Sequence, residues 1–260
     1  MKNKVLLVLV DGMRPDAVMQ CESSFLRDLR TESTYTFSAD TVYPSVTLPC
    51  HTSLFLSVDP DRHGITTNFW MPQVRPIDGI CEIANRAGMK CAMFYNWQEL
   101  RDLCRPGTLH YAHFHRQNTD MKTEWQNEVE MTVDAIRYIQ KESPDFVFVY
   151  LGAVDEIGHH YGWMGKEYMQ TVSHASECIR LLRDALPEEY QLIVTADHGG
   201  HGQSHGTEMP EDMMIPLICH GTAFEKGRQL EKASIKDIAP TIAALLQLQP
   251  AAEWTGHSLV

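Results

Sequence analysis

No stretch of this 260-residue chain has enough consecutive apolar residues to cross a bilayer as a helix, which takes about 20. Basic residues are also in short supply: 22 lysines and arginines stand against 34 aspartates and glutamates, for a formal net charge of -12. That deficit argues against a nucleic-acid-binding surface or an anionic-membrane partner, since both rest on cationic patches. A small anionic substrate remains compatible, because a bound cation reverses the field locally. Cysteine pairing motifs are missing too. The seven cysteines are widely spaced with no CxxC pair, and an odd set of this kind reads as free thiols in a reducing, cytoplasmic compartment. Internal repeats and low-complexity segments are absent, and nothing indicates an oligomer. The start, MKNKVLLVLVDGM, has a basic-then-apolar order, but its apolar run is short and no small-residue cleavage pattern follows. It is read as a first strand, not a secretion signal.

The apolar runs at residues 5–10, 89–95, 146–151, 191–196 and 215–219 have the pattern of strands, several of them continuous enough for burial on both faces. Helical patterns occupy residues 16–30, 77–87, 124–141, 168–186 and 234–248. Such alternation predicts an α/β fold: a doubly wound, mostly parallel sheet with helices on both faces, in a single domain over residues 1–260. Residues 96–123 are irregular and rich in aromatic and histidine residues, and are read as a small cap insertion over the site.

The densest chemistry is TADHGGHGQSHG at residues 195–206, which packs a carboxylate and three imidazoles among glycines directly after an apolar run. In open α/β sheets, ligands sit at the carboxyl ends of strands. Two further strand ends are acidic: Asp11 follows residues 5–10, and Asp155 with His159 follows residues 146–151. Asp155 and His159 are four apart, so one helical turn can aim both at one ion. Adding Asp197, His198 and His205 gives three carboxylates and three imidazoles, a donor set suited to two divalent ions, zinc first, with manganese or iron as alternatives. Residues 41–52, TVYPSVTLPCHT, suit a loop that opens a helix whose free amides can hold an anion.

The blocks VDGMRPDA (10–17), PSVTLPCHTSL (44–54), PDRHGITTN (60–68), VDEIGHHYG (154–162), TADHGG (195–200), SHGT (204–207) and SIKDIAPT (234–241) occur in one order along the chain. In that order they resemble the alkaline phosphatase superfamily, and within it the nucleotide pyrophosphatase/phosphodiesterase branch. The resemblance implies one metal held by Asp155, His159 and His205, and a second held by Asp11, Asp197 and His198 together with Thr47. Thr47 matches the nucleophile, whose hydroxyl is activated by the metal, and without metals it would be a capping threonine. Asn68 matches the donor to a non-bridging phosphoryl oxygen, with the amide of Leu48 in support. The implied activity is hydrolysis of phosphodiester or pyrophosphate bonds in a small phosphorylated substrate through a phosphothreonine intermediate. A phosphonate hydrolase acting on phosphonoacetate-like substrates, a phosphomonoesterase, and a non-enzymatic metal-containing protein that binds a phosphorylated ligand are the alternatives.

The register of the resemblance selects His159 over its neighbour His160 and His205 over His201. His51 and His63 lie in matching blocks and are read as supporting or turn residues. His113 and His115, in HYAHFH, alternate as on one face of a strand, and with His110 either line a substrate pocket or form a solvated edge. Cys50 lacks the proline and arginine of the sulfatase CxPxR motif and is read as a small buried thiol. Leu48 stands where the pyrophosphatases carry a base-stacking aromatic residue. Phosphoglycerate mutases of the cofactor-independent kind use serine and a larger inserted domain, for which this chain has no room.

Overall fold

The run KVLLVLV has no polar face to offer solvent, and in the structure, a computed structural model describing residues 3–116 and 120–260, it forms β1 (Lys4–Val10) with Val5 to Val10 all buried. The chain continues through α1 (Pro15–Gln20), α2 (Phe25–Leu29), β2 (Ser33–Asp40), α3 (Thr47–Leu56), α4 (Pro60–His63), α5 (Ile80–Arg86), β3 (Cys91–Tyr95) and β4 (Tyr111–Phe114). It then forms α6 (Met121–Glu142), β5 (Phe146–Leu151), α7 (Ala153–Tyr161), α8 (Lys166–Ala185), β6 (Tyr190–Thr195), α9 (Pro210–Met213), β7 (Met214–His220) and α10 (Ile238–Leu245).

One seven-stranded sheet has the order β2-β7-β6-β1-β5-β3-β4. The strands β6, β1, β5, β3 and β4 run parallel, and β7 and β2 are antiparallel to their neighbours. This is the expected doubly wound, mostly parallel α/β architecture. Helices α6, α7 and α8 pack together as one layer, and α3, α5 and α10 as another. Both faces of the central strands are therefore covered, which is why β1, β5 and β6 carry no alternation of polar residues.

Three elements differ from the sequence reading. β2, STYTFSAD, is a polar strand whose buried positions include Ser33, Thr34 and Thr36; its hydroxyls bond to neighbouring carbonyls, as Ser33 does to Leu29 O at 2.7 Å. The segment read as a cap insertion includes β4, which pairs in parallel with β3 and forms the edge of the sheet. Its alternating burial, with Tyr111 and His113 turned inward and Ala112 and Phe114 outward, is that of a strand with one covered face. Residues 117–119 of that segment lie outside the described residues. The helix expected over residues 16–30 is two helices, because Cys21 takes extended backbone angles and ends α1. No helix among the described residues is long and apolar enough to cross a membrane. All seven cysteines are unpaired and buried.

Candidate active site

Parallel pairing aligns the carboxyl ends of the three central strands: Val10 lies opposite Leu151, and Leu9 opposite Thr195. The polar residues that follow these runs therefore converge. Asp11 comes directly after β1, Asp155 sits in the first turn of α7, and Asp197 is two residues past β6. Gly12 makes the approach of Asp155 feasible. Its φ is +66°, and a Cβ there would lie 3.0 Å from Asp155 Oδ1.

Each of the three carboxylates is held in a way that leaves one oxygen bare. Asp11 Oδ2 accepts from the Tyr150 hydroxyl. Asp197 Oδ1 accepts from the Gly12 amide at 3.2 Å and the His198 amide at 2.9 Å. Their other oxygens, Asp11 Oδ1 and Asp197 Oδ2, together with Asp155 Oδ1, are buried without a hydrogen-bond donor. An uncompensated buried carboxylate costs on the order of several kcal/mol. Burial and mutual repulsion accordingly push Asp11 well above the usual carboxylate range and Asp197 up to about 8. Burial acts on Asp155 in the same direction, but its contacts with His159, His198 and His205 hold it below its ordinary value.

The imidazoles are fixed by a common device. His198 Nδ1 lies 2.8 Å from Gly199 O, His159 Nδ1 2.9 Å from Gln203 O, and His205 Nδ1 2.8 Å from Ser45 O. A carbonyl only accepts, so Nδ1 carries the proton and Nε2 of the neutral ring presents a lone pair. His198 Nε2 lies 3.3 Å from Asp11 Oδ1 and 3.4 Å from Asp197 Oδ2. His205 Nε2 and His159 Nε2 flank Asp155 at 3.6 and 3.3 Å. Burial and the adjacent His205 drive His198 down to about 3, so it is neutral at any ordinary pH. His159, half-exposed and bonded to Asp155, is pushed up to about 9, and a cation taking its Nε2 must displace that proton. Lone pairs and bare anionic oxygens pointing at common centres are a donor set for divalent cations.

Two groups of ligand atoms lie within 4.8 Å of one another: Asp11, Asp197 and His198; and Asp155, His198 and His205. His198 belongs to both, and its ring stacks on that of His205 at 3.8 Å. His159 approaches Asp155 from the other oxygen. The sequence reading assigned His198 to one side only.

Thr47 is the first residue of α3, and its Oγ1 lies 3.2 Å from His198 Nε2. The capping role open to it in sequence does not arise: the N-cap is Val46, and no side chain caps the helix. Leu48 gives its amide to Asn68 Oδ1 at 2.9 Å, so that amide orients Asn68 and is not a free donor as expected. Leu48 is fully buried and offers no stacking wall. His51, one turn on, bonds Thr47 O through Nδ1 at 2.8 Å and lies 3.5 Å from Asp197 Oδ2. Burial lowers it to about 4, leaving a neutral brace between the helix and the carboxylate. His63 supports the same helix through Ser53 Oγ at 3.0 Å. His160 pairs with Glu156 and His201 with Asp212, at 3.1 and 2.7 Å, both away from the centre. Cys50 is buried and accepts from the Thr41 hydroxyl at 3.2 Å, and burial raises its thiol.

Sequence reasoning missed two features. Tyr150, in the apolar strand FVFVYL, looks like a core residue but donates to Asp11. Directly after Asn68, Phe69 and Val74 are 81 % and 97 % exposed, with Trp70 and Met71 beside them. Trp70 and Met71 help line an apolar cavity of about 280 Å³ that also includes Thr52 of α3. The run FWMPQV was the available signal.

The family model described as type I phosphodiesterase / nucleotide pyrophosphatase matches residues 5–210. The chain is 24 % identical over 229 residues to ectonucleotide pyrophosphatase/phosphodiesterase family member 7 of Rattus norvegicus, covering 76 % of this chain and 50 % of the relative. It is 28 % identical over 148 residues to the 2,3-bisphosphoglycerate-independent phosphoglycerate mutase of Clostridioides difficile, covering 54 % of this chain and 28 % of that one. The chain thus spans about half the length, or less, of these relatives. In fold it is similar to an inactive form of murine ectonucleotide pyrophosphatase / phosphodiesterase 5 in complex with AMP, with a TM-score of 0.78, 17 % identity, and coverage of 98 % and 97 % of the two chains. It is also similar to a 2-O GAG sulfatase, with a TM-score of 0.80, 14 % identity, and coverage of 100 % and 73 %.

Proposed function

The chain belongs to the type I phosphodiesterase / nucleotide pyrophosphatase family, and from that premise we propose that it is a metal-dependent hydrolase of phosphodiester or pyrophosphate bonds with Thr47 as its nucleophile. The observation that carries the reading is the 3.2 Å approach of Thr47 Oγ1 to His198 Nε2, an imidazole flanked by two carboxylate oxygens that have no donor of their own. Asp11, Asp197 and His198, with Thr47, would hold one divalent ion, and Asp155, His159 and His205 the other. Their mixed nitrogen and oxygen donors suit zinc, with manganese or iron as alternatives. When bound, the ions would neutralise the carboxylates, lower the pKa of the Thr47 hydroxyl, and offset charge on the attacking and departing oxygens.

In this scheme Thr47 Oγ1 attacks phosphorus in line. An Oγ–P bond forms, the bond to the leaving oxygen breaks, and the Thr47 proton passes to solvent. The Nδ2 end of Asn68, free because Oδ1 is engaged by Leu48, donates to a non-bridging oxygen as its charge grows. Water then cleaves the phosphothreonine and restores the hydroxyl. The described contacts of Thr47, Asn68, Asp11, Asp155 and Asp197 include no lysine or arginine, and Arg14 is engaged by Asp16 and Gly200 O. That lack favours a singly charged diester over a dianionic monoester. Seven buried, unpaired thiols support a cytoplasmic location.

The test is a comparison of bis-p-nitrophenyl phosphate, p-nitrophenyl phosphate, phosphonoacetate and p-nitrophenyl sulfate on the zinc-loaded protein. The diester should have the highest kcat/KM. A monoester, phosphonate or sulfate ester ahead of it would overturn the substrate reading, and no turnover of any would overturn the enzymatic one.

A further inference from the structure

A second cluster of ligand-type side chains lies at the edge of the sheet, on elements that take no part in the centre described above. His113 belongs to β4, and His115 continues its ladder by giving its amide to Tyr95 O at 2.8 Å. Positions two apart on a strand share a face, and this one is covered by α6: Tyr111 of the same face stacks on Tyr138 of α6 at 4.2 Å. The rings of His113 and His115 stack on each other at 4.2 Å. Opposite them, Asp134 of α6 brings Oδ2 to 3.6 Å from His115 Nε2.

We propose that His113, His115 and Asp134 form a metal site for a borderline divalent ion such as zinc, separate from the hydrolytic centre. Three observations converge on it. The ligand atoms of the three residues lie within 4.8 Å of one another. His115 Nε2 is buried and has no hydrogen-bond partner, an uncompensated state for a ring nitrogen. The surrounding groups also aim the ligands: the Tyr111 hydroxyl meets His113 Nδ1 at 3.2 Å, and Arg137 lies 3.5 Å from the other oxygen of Asp134. Two imidazoles and one carboxylate are a common three-ligand zinc set, and its fourth position is open to water or to Glu130, one turn earlier on α6, whose charge already acts on His115. An ion here would tie the four-residue edge strand, which has a single neighbour in the sheet, to the long helix covering it.

The test counts zinc. The intact chain is equilibrated with zinc ions, passed through a desalting column, and analysed for metal per chain, alongside His115→Gln, Asp134→Asn and Asp197→Asn. Both edge variants should hold about one zinc fewer than the wild type, with bis-p-nitrophenyl phosphate hydrolysis within about twofold, while Asp197→Asn keeps the edge zinc. Cobalt gives a second readout: the wild-type minus Asp134→Asn difference spectrum should carry the intense visible band of a tetrahedral site. Should His115→Gln fail to fold, Asp134→Asn decides, since Asp134 is only partly buried. An unchanged zinc count and an empty cobalt difference spectrum in a folded Asp134→Asn protein would overturn the proposal, as would loss of all zinc from Asp197→Asn. Because the edge count is read without turnover, its failure is distinguishable from failure of the hydrolase reading.

Discussion

The backbone amide of Leu48 and the side-chain oxygen of Asn68 are bonded at 2.9 Å, and this bond decides which end of the Asn68 amide is free. Asn68→Ala should lower kcat for a diester by about 10²–10³-fold with little change in KM, the signature of a donor that acts where charge develops. Asn68→Asp should be at least as damaging, because it puts a carboxylate where a donor is needed. A loss confined to KM would assign Asn68 to substrate binding alone.

Thr47→Ala should reduce diester turnover by at least about 10³-fold, as expected when a nucleophile is removed, with zinc content close to that of the wild type. Thr47→Ser keeps the hydroxyl and should retain part of the activity. Acid-quenched wild-type protein should carry a phosphoryl group on the peptide containing Thr47. Near-normal rates in Thr47→Ala would exclude it from the reaction.

Tyr150→Phe removes the donor to Asp11 Oδ2 while leaving the buried ring in place. Groups that orient metal ligands are typically worth about 10–100-fold in metal affinity or activity. Zinc titration of the variant should show a loss of that order at the site of Asp11, Asp197 and His198, and unchanged affinity would make Tyr150 a packing residue only.

Glu128 supplies a pH-dependent prediction. It lies fully buried under α7, where Oε1 accepts the Ala153 amide at 2.9 Å and Oε2 faces His174 Nε2 at 3.6 Å. Burial raises its carboxyl from the usual 4.5 to about 8. Between those values the folded chain keeps a proton that the unfolded chain has lost, so stability falls as pH rises across the window and levels off above about 8. Glu128→Gln should match the wild type near pH 4.5 and exceed it above pH 8, by roughly 4–5 kcal/mol in chemical denaturation at fixed zinc. A wild-type minus variant difference that does not vary with pH would contradict this.

The central sheet was legible because β5 and most of β1 are apolar runs and β6 has the apolar centre Leu192 to Val194, and the candidate site because acidic residues follow each of them. Asp155 and His159 could be paired from their helical spacing alone. β2 was hidden because most of its buried positions carry hydroxyls, satisfied by partners such as Leu29 O for Ser33 and Glu225 O for Thr34, so that no apolar pattern reveals them. β4 showed only as the alternation in HYAHFH, and its pairing at the edge of the sheet was not legible because its covered face presents tyrosine and histidine, residues equally at home in a loop. The position of His198 between Asp11, Asp197 and Asp155 depends on how three strands register, and Tyr150 differs from its core neighbours only by one hydroxyl. Such facts are tertiary and leave no trace in spacing.

The place of β1 between β5 and β6 bears on how the chain assembles. Asp11 is synthesised early and Asp197 late, and they become neighbours only when β6 is laid against β1. Until that moment each carboxylate keeps its own water, and the repulsion that burial intensifies is not yet felt. A divalent ion held there would act as a late fastener on that seam, because its ligands come together only when the two strands do.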